Sequence, residues 1–275
     1  MGVSRLQCDL QRGIIMNMIN DRINTLLNGQ KLATESIIEI FSSIQGEGKY
    51  VGYRQAFLRF EGCNLSCDYC DTEHRVGSHR YCRVELNPGS HRQLEIPNPL
   101  TPAAVAEYVN NFADITPHQA LSLTGGEPLL HTKFITELAP LVRLPLLLET
   151  NGTLGPRLKK VLPLISIISM DIKLPSMVGQ ELWGEHGVFM EIAREKDLYV
   201  KLVIERESST SEISKAISLI ASVDRSIPLI LQPVTPHGHC KAPSADLMLK
   251  AQEMALGPLR DVRVIPQTHV MMGQR

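Results

Sequence analysis

From residue 57 onward the chain repeats one unit, a short β-branched or aliphatic run followed by a segment of helical periodicity. The spacing predicts strands over 57–60, 121–124, 146–149, 165–170, 200–204 and 229–232, with a last one near 262–265. Between them, Thr101-Pro102 opens a helix with a capping hydroxyl and a first-turn proline, and 133–141, 156–162, 211–223 and 244–255 supply others. The apolar runs lack polar alternation, which implies that both faces of each strand are buried. Such repetition specifies a parallel sheet with right-handed crossovers, curled into a whole or partial barrel or left open and doubly wound. Six units are fewer than the eight of a closed barrel. In either arrangement the chemistry belongs at the carboxyl ends of the strands.

With 275 residues, 43% of them hydrophobic, the chain is long enough for a large core. Lys plus Arg number 28 against 29 Asp plus Glu, a net charge of -1, so no global field favours nucleic acid or an anionic membrane. The longest apolar runs, 144–148 and 161–168, contain proline or serine and fall short of the roughly 20 residues of a membrane helix. Residues 1–33 place Ile14, Ile15, Ile19, Ile23 and Leu26 on one helical face without an export signal, and are expected to be an extension preceding a core domain over 34–275. Residues 74–100, with Pro88, Gly89, Pro97 and Pro99, read as a long irregular excursion. A cytoplasmic location is expected, where thiols stay reduced and clustered cysteines argue for a metal before a disulfide.

Three of the six cysteines, Cys63, Cys67 and Cys70, form CxxxCxxC directly after the strand ending at Phe60. Three thiolates on one loop can bind three irons of a 4Fe-4S cluster and leave the fourth iron open to a non-protein ligand. A structural zinc site is the sober alternative, with His74, His79 or Cys82 as its fourth ligand.

CxxxCxxC with Tyr69 before the last cysteine, followed by Thr124-Gly-Gly-Glu-Pro128 at the end of a predicted strand, resembles the radical S-adenosylmethionine (SAM) superfamily. Phe41-Ser-Ser-Ile-Gln-Gly-Glu-Gly48, the stretch Phe57 to Thr72, Glu149-Thr-Asn-Gly-Thr153, Ser169-Met-Asp-Ile-Lys173, Leu231-Gln-Pro-Val234 and Pro266-Gln-Thr-His269 narrow the likeness. Together they resemble the 7-carboxy-7-deazaguanine synthase family from residue 37 to the C-terminus. That resemblance implies a partial (β/α)6 barrel of the radical SAM type. It also implies a lyase that converts 6-carboxy-5,6,7,8-tetrahydropterin to 7-carboxy-7-deazaguanine with loss of ammonia, in queuosine biosynthesis, by hydrogen abstraction with a 5'-deoxyadenosyl radical.

The resemblance further implies a 4Fe-4S cluster on the three cysteines, a Mg2+ ion on Thr72, and SAM contacts from Asp68, Tyr69, Asp71, Gly125, Gly126, Glu127, Glu149 and Asn151. Ser169, Asp171 and Lys173, in a stretch longer than the family's usual Ser-Pro-Lys, and Gln232, Pro233, Val234 and Thr235 are expected around its adenosyl portion. The pterin is expected against Ile44, Gln45, Gly46, Glu47, Arg59, Thr124, His269 and the Arg275 carboxylate. His269 lacks the lysine that usually follows it in the family. Arg59, inside an apolar strand, needs a carboxylate partner, from the substrate or from the protein itself. Residues 174–199, with the only tryptophan at 183, read as a helical crossover inserted relative to short members. A flavodoxin or ferredoxin electron donor and a homodimer are also implied. Competing readings are another radical SAM enzyme, such as a glycyl-radical activase, and a non-catalytic zinc or iron-sulfur protein.

Overall fold

The computed structural model describes residues 33–70 and 76–274. Ten strands form one sheet: β1 (Ile37–Ile44), β2 (Arg54–Phe60), β3 (Tyr81–Glu85), β4 (Gln93–Pro97), β5 (Ala120–Gly125), β6 (Leu146–Thr150), β7 (Ile167–Ile172), β8 (Asp197–Ile204), β9 (Leu229–Pro233) and β10 (Val262–Val264). Their order is β10-β9-β8-β7-β6-β5-β2-β1-β3-β4, with every pair from β2 through β10 parallel. The seven predicted strands thus form one continuous parallel block. Its two end strands, β10 and β4, do not pair with each other, so the sheet is an open, partial barrel.

The crossovers are helical: α1 (Pro102–Ile115), α2 (Thr132–Leu138), α3 (Gly155–Val161), α4 (Pro175–Val178), α5 (Trp183–Ala193), α6 (Thr210–Val223) and α7 (Ala245–Leu256), with α8 (Thr268–Met271) closing the described chain. Thr101 caps α1 by accepting from the Ala104 N–H, and Ser209 and Ser244 do the same for α6 and α7. Residues 174–199 contain α4 and α5, a helical crossover as read from the sequence.

One expectation needs correction. Within the expected excursion over 74–100, the described residues 76–100 are not irregular: β3 and β4 pair as an antiparallel hairpin, and β3 joins the edge of β1 in parallel. The prolines and glycine lie in the turn or at the strand end and masked the strands between them. The parallel strands are buried on both faces, as expected, but only one of those faces is apolar. In β7, Ile168, Met170 and Ile172 enter the helix-packed core, whereas Ser169 and Asp171 face the opposite side. Likewise Leu121 and Leu123 alternate with Ser122 and Thr124 on β5, and Val200 and Leu202 with Lys201 on β8. The helices cover a nonpolar face, and the concave face is buried but polar, because the sheet curls around a cavity.

Candidate active site

Side chains from β1, β2 and β5 through β9 line one cavity of about 310 Å3, which shows that the sheet curls enough to bring both flanks of the parallel block together. The cavity holds most of the expected site residues: Ile44, Gln45, Gly46, Glu47, Arg59, Cys63, Cys67, Tyr69, Cys70, Thr124, Gly125, Gly126, Glu149, Asn151, Ser169, Asp171, Lys173, Gln232, Val234, Thr235 and His269. Asp68, Glu127 and Pro233 are not in its wall. Asp68 is exposed and holds the loop by donating its N–H to Met177 O. Asp71, Thr72, His74 and Arg275, with the extension before Ala33, lie outside the described residues.

The cysteine loop leaves β2 and is pressed against the glycines that leave β5. A Cβ on Gly126 would stand 1.8 Å from Gly62 O, and one on Gly125, whose φ is +111°, would stand 2.3 Å from Phe60 O. Only glycine permits this approach at either position. Gly126 and Glu127 donate their N–H groups to Phe60 O and Gly62 O, so the two loops form one unit.

Glu127, fully buried, braces this unit from behind. Its carboxylate accepts from Leu129 N and Thr150 Oγ1 on one oxygen and from Asn151 N on the other. Burial pushes its pKa up against these hydrogen bonds. Asn151 in turn donates to Asn64 Oδ1, beside the first cysteine, and its carbonyl contacts the buried His186 ring on α5.

The residues fit an iron-sulfur cluster better than a single ion. Cys63, Cys67 and Cys70 are partly buried thiols facing one cavity, yet among the described residues no three His, Cys, Asp or Glu converge at single-ion distance. The zinc alternative loses two of its proposed fourth ligands. His79 is engaged by Glu61 at 2.9 Å, and Cys82 is buried inside β3. Burial pushes the Cys63 and Cys67 thiols up, the direction expected of a site that takes charge only when metal replaces the protons. Beside them Lys173 donates to Tyr69 Oη and to Asp171 Oδ2, both at 3.0 Å. The Gln232 side-chain oxygen is buried in the cavity wall with no partner among the described residues, an acceptor suited to a ligand N–H.

The same cavity also carries a hydrogen-bonded polar strip. Gln45 donates to Gln55 Oε1 and to Glu149 Oε1, and Glu149 also accepts from Ser122 Oγ at 2.8 Å and Thr124 Oγ1 at 3.0 Å. Glu47 Oε2 is 2.5 Å from Lys201 Nζ, and Glu47 Oε1 accepts from Gln267 Nε2 at 2.6 Å. Burial alone would raise the Glu47 pKa, but Lys201, Gln267 and His269 override it and bring it down to about 2. Burial likewise opposes charge on Lys173 and Lys201. Asp171 beside both, with Glu47 beside Lys201, more than offsets it and holds both ammonium groups charged. Arg59 has its carboxylate within the protein, Glu39, at 2.8 Å, while still lining the cavity.

Among the cavity residues not singled out from the sequence, two join the ion-pair and hydrogen-bond network around Glu47. Gln267 stands inside the quoted Pro266-Gln-Thr-His269 stretch, and Lys201 is the one charged residue in the run Val200–Ile204. A lysine in a central strand is costly unless paired, and that signal was available.

Comparisons with known proteins agree with this geometry. The sequence profile of the radical SAM superfamily matches residues 57–179. A 7-carboxy-7-deazaguanine synthase from Geobacter sulfurreducens is 44% identical over 242 residues, covering 86% of this chain and 96% of the relative. The protein of the same name from Methanothermobacter thermautotrophicus is 34% identical, covering 87% and 97%. Among solved structures, QueE from Escherichia coli aligns at a TM-score of 0.55 and 18% identity over 85% of this chain and 94% of that one, a likeness of fold. A radical SAM methyltransferase from Sphaerobacter thermophilus aligns at 0.54 and 11% identity over 83% and 77%. Matched by relatives of this identity along nearly their whole length, the chain belongs to the 7-carboxy-7-deazaguanine synthase family of radical SAM enzymes, which use a 4Fe-4S cluster and SAM.

Proposed function

We propose that this chain converts 6-carboxy-5,6,7,8-tetrahydropterin to 7-carboxy-7-deazaguanine and ammonia. The observation that carries this reading is that one cavity is lined both by the three-cysteine loop and by the amide-and-carboxylate strip of Gln45, Glu47 and Glu149. The atoms balance without a net oxidant or reductant: the pterin loses one nitrogen as ammonia and contracts its second ring.

Cys63, Cys67 and Cys70 would hold the 4Fe-4S cluster, and Gly125, Gly126, Asn151 and Tyr69 surround the place where SAM would meet it. When bound, the cluster and SAM supply a carbon-centred radical able to take hydrogen from an unactivated carbon. The chain's own task is to hold and shield. Ser169, Asp171, Lys173, Gln232, Val234 and Thr235 would bind the adenosyl portion at the strand ends. Gln45, Glu47, Glu149 and Thr124 offer donors and acceptors that match an aminopyrimidinone edge, with Ile44 and Gly46 beside it. Arg59 and His269 line the same cavity as that strip and suit the substrate carboxylate. Seating both molecules in one water-poor cavity fixes the carbon to be attacked relative to the radical and protects it from quenching.

Thr72 suits a Mg2+ ion that keeps waters or substrate oxygens as its other ligands. A flavodoxin or ferredoxin as electron source, a homodimer and a cytoplasmic location complete the reading; among the described residues no helix is long and apolar enough to cross a membrane. The deciding experiment incubates anaerobically reconstituted protein with SAM, reductant, Mg2+ and 6-carboxytetrahydropterin. Release of 7-carboxy-7-deazaguanine is expected; SAM cleavage without that product sinks the substrate assignment.

A further inference from the structure

Lys201 lies in the middle of β8, 5% exposed, inside an otherwise apolar run. Its ammonium stands between carboxylates from two different walls, 2.5 Å from Glu47 Oε2 after β1 and 3.3 Å from Asp171 Oδ1 on β7. Gln267 donates to the remaining Glu47 oxygen. Both oxygens of Glu47 therefore face donors, and the group stays an anion. An ionised carboxylate only accepts hydrogen bonds, whereas a protonated one also donates.

We propose that Lys201 is a positioning residue that determines ring specificity: by holding Glu47 as an acceptor-only carboxylate, it makes the 44–47 strip select a 2-amino-4-oxopyrimidine ring. The inference rests on the functional reading above, in which Glu47 meets the pyrimidinone edge. A 2-amino-4-oxo ring presents two N–H donors side by side to a carboxylate. A 2,4-dioxo ring places a carbonyl oxygen at one of those points, so two acceptors meet with no proton between them. Without the Lys201 ammonium, Glu47 and Asp171 would be like charges sharing one cavity, and proton uptake by Glu47 would relieve that repulsion. A protonated Glu47 can donate to the 2-carbonyl, and discrimination would disappear. Arginine retains the charge in place of the lysine.

The test is calorimetric binding of 6-carboxypterin and 6-carboxylumazine, which differ in the 2-amino and 2-oxo groups, to the reconstituted full-length chain with SAM. Wild type is expected to prefer the pterin by about tenfold or more. Lys201→Met should weaken pterin binding by the wild-type preference, roughly tenfold, and leave the lumazine little changed, collapsing the preference, while Lys201→Arg restores most of it. A wild type with no preference overturns the inference, as does a folded Lys201→Met chain that keeps the preference or loses both ligands equally. If Lys201→Met fails to fold by circular dichroism, Glu47→Gln carries the test: it should abolish the preference, and a retained preference overturns the inference. Wild type that binds neither compound overturns the functional reading and this inference with it, whereas pterin binding with an unchanged preference in the variants overturns this inference alone.

Discussion

Glu127 accepts the backbone N–H of Asn151 at 2.8 Å, tying the turn after β5 to the turn after β6 behind the cavity wall. The same carboxylate also receives Leu129 N and Thr150 Oγ1, so one fully buried group satisfies three donors. Glu127→Gln turns one acceptor oxygen into a donor facing other donors. The expected cost is about 2 kcal/mol of unfolding free energy, read from the urea midpoint at unchanged slope. A variant as stable as wild type contradicts the bracing role.

Gly126 should tolerate no side chain. The 1.8 Å approach to Gly62 O is to backbone, which has little room to give. Gly126→Ala is therefore expected to part the glycine turn from the cysteine loop while the outer helical layer still folds. Far-ultraviolet circular dichroism near that of wild type, with weakened SAM-induced change in the cluster's electron paramagnetic resonance spectrum, is the predicted pairing. An unaltered spectral response to SAM would refute it.

The cysteines should divide cleanly by position. Cys63→Ala, Cys67→Ala and Cys70→Ala are each expected to lower iron content and abolish product, because each removes one of three thiols facing the cavity. Cys240 is buried away from that wall, and Cys240→Ala should retain iron and the visible absorption of the cluster. Iron loss from the Cys240 variant, or a full complement in any of the other three, would count against the assignment.

Acid should destabilise the fold through Glu47. Its folded pKa, about 2, lies below the ordinary value of 4.5, so its contribution is present above pH 4.5 and is lost as pH falls through 2. By linkage the amount is on the order of a few kcal/mol, and melting temperature should fall across that window. Glu47→Gln should flatten this part of the profile. Profiles of identical slope in the two proteins would show that the Lys201 pair carries no pH-dependent stability.

The order of elements was legible because short apolar runs alternate with segments of helical periodicity, three of which open on a capping hydroxyl, at Thr101, Ser209 and Ser244. The hairpin of β3 and β4 was not, since Val84 and Ile96 sit among Pro88, Gly89, Pro97 and Pro99, which read as loop punctuation. Lys201 was missed for a related reason. A lysine in an apolar run signals a buried pair, but its partners are identified only once the cavity it faces is known.

The chain's own sequence determined the parallel architecture, the three-thiolate loop and the glycines after β5, since these depend on local periodicity, residue chemistry and backbone freedom at fixed spacings. Only the tertiary structure decided which polar side chains work together. Glu47, Asp171 and Lys201 come from three strands or strand ends separated by up to 154 residues. Their mutual charge compensation exists only because the sheet curls, and the curvature of a sheet follows from packing across all of its strands rather than from any one of them.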